Sequence, residues 1–408
     1  MTYDTNIPQG YKATALGIIP QEWEVVRFGK VMKCFSGGTP KSSNPDFFGG
    51  KIPFIKSGEI HLSTTEQNLS EEGLNQSAAK MVNKGDLLYA LYGANSGDCA
   101  ISKIEGAINQ AILCIRTDAF DIPYLLAVLE LNRPYYTDVY LQGGQGNLSA
   151  EIVKSYMIAV PPLAEQRKIA EVLGVWDEAI EKQARLIEKL ALRKRALMQR
   201  LLSAKLRLTG FSEPWKKVNY SDILKEVRRT LTWDENELYD LISVRRRSGG
   251  VFHRESLYGH EIKTKTLRPA LEGDFLISKM QIVHGASGVV PKQLSGMKIS
   301  GSYIALIAKD PKELNINYFN LWSQMPLFYH QTFVSSYGVH IEKMTFDLDA
   351  FMSLSMNLPP IEEQNKIVEV ISTATNEIEL AKEKLERLRR QKRGLMQQLL
   401  TGKKRVKY

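Results

Sequence analysis

The sequence is poor in the residues that usually announce chemistry. Its three cysteines, Cys34, Cys99 and Cys114, are odd in number, fall in the first third of a 408-residue chain and lack CxxC or Cys/His spacing. That excludes a disulfide framework and a structural zinc site. Six histidines show no metal-ligand spacing. No GxxxxGKS/T phosphate loop, HExxH helix or GxSxG elbow is present, so the nucleotide, zinc and serine chemistry that those motifs serve has no foothold. No run of about eighteen apolar residues occurs, and MTYDTNIPQGYKATALGIIP lacks a basic region followed by an apolar one. A reducing, cytoplasmic setting without membrane contact is expected.

What is present reads as a soluble protein of two or more domains, with 43% hydrophobic and 24% charged residues over a length too great for one core. The net charge of +9 points to an anionic partner such as nucleic acid or a membrane surface.

The chain also repeats itself. VPPLAEQRKIAEVL from Val160 returns as LPPIEEQNKIVEVI from Leu358, and sliding the chain by 198 residues aligns Val160–Leu208 with Leu358–Val406 without a gap, 21 of 49 columns being identical. That is a tandem duplication. Trp23 answers Trp215, and KGDLLYA at Lys84 answers EGDFLIS at Glu272. The expected organisation is a variable segment over 1–159, a repeated segment over 160–208, a second variable segment over 209–357 and a second repeated segment over 358–408.

Each repeated segment reads as a long helix. Pro161-Pro162 and Pro359-Pro360 suit a helix start, with Glu165 or Glu362-Glu363 in the first turn. Apolar residues recur at heptad spacing through Ile169, Leu173, Trp176, Ile180, Ile187, Leu190, Leu197 and Leu201, and at the same phase from Ile367 to Leu399. The first half of each helix is acidic and the second basic: Lys189 to Arg207 holds seven basic residues and no acidic one. An antiparallel pair sets acidic halves against basic halves, so an antiparallel coiled coil is expected. At 1.5 Å per residue, helices of about 40 residues run roughly 60 Å, enough for a ruler between two globular segments. Lys194 and Lys392 occupy equivalent seam positions and either fix the register or lead their ammonium groups to solvent.

The variable segments mix short strands with Gly, Pro and Ser turns and one helical stretch each, near Pro123–Leu131 and Asn317–Phe328, which makes them α+β. Arg245, Arg246 and Arg247 before Ser248-Gly249-Gly250 form the densest basic cluster outside the helices and suit phosphate or guanine contacts. Lys41, Lys56, Asn95, Gln145 and Asn147 in the first segment, and Lys279, Gln281, His284 and His340 in the second, are loop residues able to read base edges. Asn44-Pro45-Asp46-Phe47 differs from the Asn-Pro-Pro-Tyr/Phe motif of amino-methyltransferases by Asp46 and has no glycine-rich cofactor motif beside it, so it reads as a turn.

Two variable segments, two helices headed PPLAEQRKIAEVL and PPIEEQNKIVEVI, LMQRLL at Leu197, LMQQLL at Leu395 and the SGGTPKSSNPDFFGG stretch at Ser36 together resemble the specificity subunit of type I restriction-modification enzymes, over essentially the whole chain. The resemblance implies two target-recognition domains, each binding one half of a split double-stranded DNA site, and helices that set the spacing and dock methyltransferase subunits, two being expected. It implies a non-catalytic chain with no cofactor of its own, S-adenosylmethionine belonging to the modification partner and ATP and magnesium to the restriction partner. It also carries Glu165, Gln166, Ile169, Glu363, Gln364 and Ile367 over to the helix starts near a methyltransferase interface, with capping and local packing as the other reading. A fused or degenerate methyltransferase or nuclease, and a coiled-coil scaffold that binds only protein, remain alternatives.

Overall fold

The structure, a computed structural model, describes residues 7–140, 147–341 and 344–408. Contacts divide the chain into two units, residues 1–184 with 383–408 and residues 185–382. The first unit opens with a hairpin of β1 (Tyr11–Thr14) and β2 (Gly17–Pro20), turning at Gly17 with φ 94°. There follow β3 (Glu24–Arg27), β4 (Lys33–Ser36), β5 (Phe48–Ile55), β6 (Asn68–Leu69), α1 (Glu71–Asn75), β7 (Lys80–Val82), β8 (Leu87–Ala90), β9 (Cys99–Ile101), β10 (Gly106–Ile108) and β11 (Ile112–Arg116). Then come α2 (Ile122–Tyr140), α3 (Ala150–Ser155), β12 (Met157–Val160) and the long α4 (Leu163–Leu202).

The second unit runs through β13 (Lys216–Asn219), α5 (Tyr220–Ile223), β14 (Leu224–Glu226), β15 (Leu238–Val244), β16 (Val251–Tyr258), β17 (Arg268–Pro269), β18 (Phe275–Ser278), β19 (Ser287–Val289), β20 (Lys298–Ile299) and β21 (Tyr303–Ala308). It continues with α6 (Ile316–Trp322), α7 (Pro326–Val334), the hairpin β22 (Ser336–Tyr337) and β23 (Thr345–Phe346), α8 (Leu348–Met352), β24 (Ser355–Leu358) and the long α9 (Ile361–Leu399).

The duplication extends through the variable segments, where the sequence hides it. One sheet is ordered β4-β11-β8-β9 in the first unit and β14-β21-β18-β19 in the second; the other is β6-β5-β10-β7 and β16-β15-β20-β17. The second sheet contains one parallel pair in each unit, β5 with β10 and β15 with β20. Strands β12 and β24 return to pair antiparallel with β3 and β13, next to the start of each long helix.

The matched strands β8 and β18 show why the KGDLLYA and EGDFLIS echo exists. Side chains alternate across a strand. Leu87 and Tyr89 enter the main core of the first unit while Leu88 and Ala90 enter a second core behind the sheet, so all four are buried. Phe275 and Ile277 do the same against Leu276 in the second unit. A strand covered on both faces reads as a continuous apolar run. The preceding aspartates fix its approach: Asp86 accepts from Arg116 Nε at 2.9 Å, and Asp274 from Arg229 Nη2 at 2.9 Å.

The long helices belong to these cores rather than standing apart from them. Ile169 and Leu173 of α4 and Leu399 of α9 pack into the first core, with Trp23 and Phe28; Ile367 and Ile371 of α9 and Leu201 and Leu202 of α4 pack into the second. Both unit boundaries therefore fall inside a helix. In each unit the acidic first half of one helix lies beside the basic second half of the other, through Asp177 and Lys392 in the first unit and Glu377 and Arg193 in the second. The pairing is antiparallel. The predicted helix near Asn317–Phe328 is two helices, because Pro326 begins α7 and cannot continue α6. The Asn44-Pro45-Asp46-Phe47 stretch is a single turn capped by Asn44 Oδ1, which accepts from the Asp46 amide at 3.2 Å.

Candidate nucleic-acid interface

The residues shared by the two helix starts make one buried motif, built twice. Glu165 accepts from Trp23 Nε1 at 2.9 Å and from Arg405 Nε and Nη2 at 2.6 and 2.9 Å. Glu363 accepts from Trp215 Nε1 at 2.9 Å and from Arg207 Nε and Nη2 at 2.8 and 2.9 Å. Gln166 Nε2 donates to the carbonyls of Ala119 and Pro161, and its Oε1 accepts from the Asp121 amide. Gln364 repeats this with Glu313, Pro359 and Asn315. Each arginine comes from the tail just beyond one long helix and holds the start of the other, which fixes the antiparallel register at a charged, water-excluded point. The hydrogen bond to Glu165, ahead of Glu22, holds the Arg405 guanidinium above its ordinary pKa.

Glu165, Gln166, Ile169, Glu363, Gln364 and Ile367 are at most 1% exposed. These side chains are turned into the fold, the glutamates and glutamines within the hydrogen-bond networks above and the isoleucines within the cores. The arginines were hidden within the basic runs. Their signal was available, because Arg207 and Arg405 are identical columns of the 198-residue repeat.

The expected base readers gather on three matched loops. In the first unit Lys56 follows β5, Asn95 lies between β8 and β9, and Asn147 precedes α3. A Cβ on Gly58 would lie 3.6 Å from Asn95 Nδ2, while the Gly93 amide donates to Asn147 Oδ1 at 3.3 Å and the Leu148 amide to the Leu91 carbonyl at 2.7 Å. The β8–β9 loop is thus the middle of a three-part face. Below it Arg133 Nε donates to the Ser96 carbonyl at 3.2 Å, and Asp98 bonds His61 and Arg133. Lys41 is exposed on the β4–β5 loop, with no contact placing it in this face, and Gln145 lies outside the described residues.

In the second unit Arg245–Arg247 follow β15, Lys279, Gln281 and His284 fall between β18 and β19, and His340 sits on the β22–β23 hairpin before α8. The Arg247 amide donates to the His284 carbonyl at 2.7 Å, the Ser248 amide to the Gly285 carbonyl at 2.8 Å and the Phe346 amide to the Lys279 carbonyl at 3.0 Å. The same three loops meet again, with the same one in the middle. Arg247 and Ser248 adopt positive φ of 56° and 53°, a tight and strained turn for non-glycine residues. It leaves all three arginines exposed, with Arg245 stacked 4.0 Å from the Phe252 ring centroid. Gln281 and His284 are half-buried, with Gln281 Oε1 and His284 Nε2 turned away from solvent. Lys279 lines a neighbouring groove with Arg228 and Arg268.

Sequence reasoning missed the exposed apolar tips of these loops. Tyr92 lies in the first face, and Met280, Tyr337 and Val339 in the second, Val339 being 95% exposed. Apolar residues inside Gly- and Ser-rich loops were the signal, since nothing in the core claims them. Among the described residues no cluster of metal-ligating side chains occurs, and no helix is long and apolar enough to cross a membrane.

Two copies of one α+β unit, each presenting a three-loop face and each built around the paired ends of two long helices, define a duplicated recognition protein. The family of type I restriction modification DNA specificity domains matches residues 20–191 and again 212–390, and the chain belongs to it. It is 24% identical to the type I restriction enzyme MjaVIII specificity subunit of Methanocaldococcus jannaschii, over 95% of this chain and 94% of that one. It is also 24% identical to the putative MjaX specificity subunit of the same organism, over 98% and 97%. Among solved structures, one reported for complex assembly and conformational transition of the type I R-M system matches with a TM-score of 0.61 at 17% identity, over 94% of this chain and 99% of that one. The type I S subunit from M. genitalium matches with a TM-score of 0.55 at 12% identity, over 98% of each. Membership places the chain among DNA specificity subunits rather than catalytic ones.

Proposed function

We propose that each unit reads one half of a bipartite double-stranded DNA site through its three-loop face, and that α4 and α9 set the distance between the halves. One observation carries this reading: loops that differ in most of their exposed side chains occupy matched places in two units of the same topology, as two readers of different half-sites require. Exposed arginines at a strained turn in one unit and amide side chains in the other suit base-edge contacts.

The partners follow from the family. Methyltransferase subunits, two in number, dock on exposed faces near the helix starts, and restriction subunits join them. S-adenosylmethionine resides on the former, and ATP with magnesium on the latter. The chain selects the sequence and leaves the chemistry to its partners. The test is single-molecule sequencing of DNA from cells expressing this chain with its cognate methyltransferase. A methylated motif of two specified halves around an unspecified gap supports the reading, whereas an uninterrupted motif overturns it. Purified chain that methylates DNA unaided would instead establish a fused enzyme.

A further inference from the structure

Two matching grooves, one in each unit, differ in charge. In the first unit Lys392, Arg393, Met396 and Gln397 of α9 face Glu130 and Leu131 of α2. In the second, Lys194, Arg195, Met198 and Gln199 of α4 face Gln324 and Met325. The four helix residues correspond at the 198-residue repeat, and Glu130 and Gln324 each lie nine positions after the residue whose amide caps the helix-start glutamine, Asp121 and Asn315.

In the first groove two carboxylates, Glu130 and Asp177, offset three cations, Arg389, Lys392 and Arg393. Lys392 Nζ lies 2.6 Å from Asp177 Oδ1 and 3.8 Å from Glu130 Oε2. In the second, glutamine replaces Glu130, the column of Asp177 holds Thr375, and Arg247 and Ser248 of the reading loop join the lining. Among the described residues no carboxylate lines it. Burial holds the Lys194 ammonium below its ordinary pKa, against the attraction of Glu379. A groove of about 450 Å³ thus gathers three cations without a counterion in its wall.

From this difference we infer that the second-unit groove is a phosphate site: Lys194, Arg195 and Arg247 engage one backbone phosphate of the DNA that the adjacent loop reads, and the first-unit groove does not. The inference rests on the DNA-reading function proposed above and assigns to α4 a contact that the loops alone do not supply. Continuity with Arg247 selects DNA over a free anion or an acidic protein segment. A phosphate also supplies the anion that the groove lining beside Lys194 lacks, at a spot where Lys392 already has two carboxylates.

The experiment compares full-length chains on a short random-sequence duplex over a series of salt concentrations. One variant, K194Q/R195Q, removes the cations; another, Q324E/T375D, grafts the first unit's carboxylates into the second. Losing one phosphate contact lowers the slope of log affinity against log salt by about 0.9, and both variants are expected to show that drop with unchanged thermal unfolding. If the graft unfolds, the surface variant decides alone. Slopes equal to that of the unaltered chain overturn the inference, as does lost methyltransferase association at an unchanged slope, which would identify a protein carboxylate as the ligand. An unaltered chain without salt-dependent retention would instead sink the DNA-reading function itself.

Discussion

Arg405 and Glu165 stand 240 positions apart in the chain and meet through two hydrogen bonds of 2.6 and 2.9 Å, with Trp23 donating a third at 2.9 Å. Arg207 and Glu363 repeat the contact with Trp215. The last residues beyond each long helix are therefore structural parts of the unit in which the other helix begins. Removing one partner of a buried ion pair leaves an uncompensated charge and costs about 3–5 kcal/mol. Arg405→Ala is expected near the low end, about 3 kcal/mol, because Trp23 still donates to Glu165. Arg207→Ala is expected to act alike on the second unit. Denaturant unfolding followed by tryptophan fluorescence measures both, and a loss below about 0.5 kcal/mol, the range of ordinary surface substitutions, would contradict the clamp.

Replacing Arg245, Arg246 and Arg247 together by alanine is expected to relax recognition in one half-site only, on top of the sequence-independent weakening from the lost Arg247 phosphate contact. A lost bidentate base contact costs about 1–3 kcal/mol at one position. Methylation mapping reads the outcome directly. Uniform weakening across all sequences would assign the cluster to the backbone alone, and an unchanged pattern would show a solvated turn.

The helices give a prediction about distance. One additional heptad in both α4 and α9, placed near residues 184 and 382 where the units divide, keeps the seam in phase and adds about 10.5 Å, roughly 3 base pairs. The methylated halves are expected to move apart accordingly. Undiminished methylation at the original spacing would disprove the ruler.

Some of this was legible in the sequence and some was not. The heptads show because a buried seam imposes a period: Ala374, Ile378, Ala381 and Leu385 are all buried as the spacing requires. The helix pairing shows because charge separates along each helix. Lys194 and Lys392 have equal places in the pattern but unequal neighbours, and only the fold reveals Asp177 and Glu130 beside one of them. Repetition of Glu165 and Gln166 as Glu363 and Gln364 marks a buried network whose partners, Trp23, Arg405, Trp215 and Arg207, only the fold reveals. The matched loops were hard to read because they share only fragments, Lys56-Ser57-Gly58 with Arg247-Ser248-Gly249 and GANSG at Gly93 with GASG at Gly285; their equivalence lies in strand order, which backbone hydrogen bonds carry and side chains do not.

The most direct test of the central claim, that one reading unit occurs twice, uses a fragment of residues 1–210. Its own tail supplies Arg207 where the full chain uses Arg405, so two copies have every element needed to clamp each other's Glu165 and to pair acidic with basic helix halves. Two-fold symmetry in such a dimer demands two-fold symmetry in its DNA. Supplied with the methyltransferase partner, the fragment is expected to methylate an inverted repeat of the first half-site with a similar central gap, as mapped by single-molecule sequencing. A fragment that stays monomeric by light scattering, or a dimer that still marks the full chain's asymmetric sequence, would contradict the account.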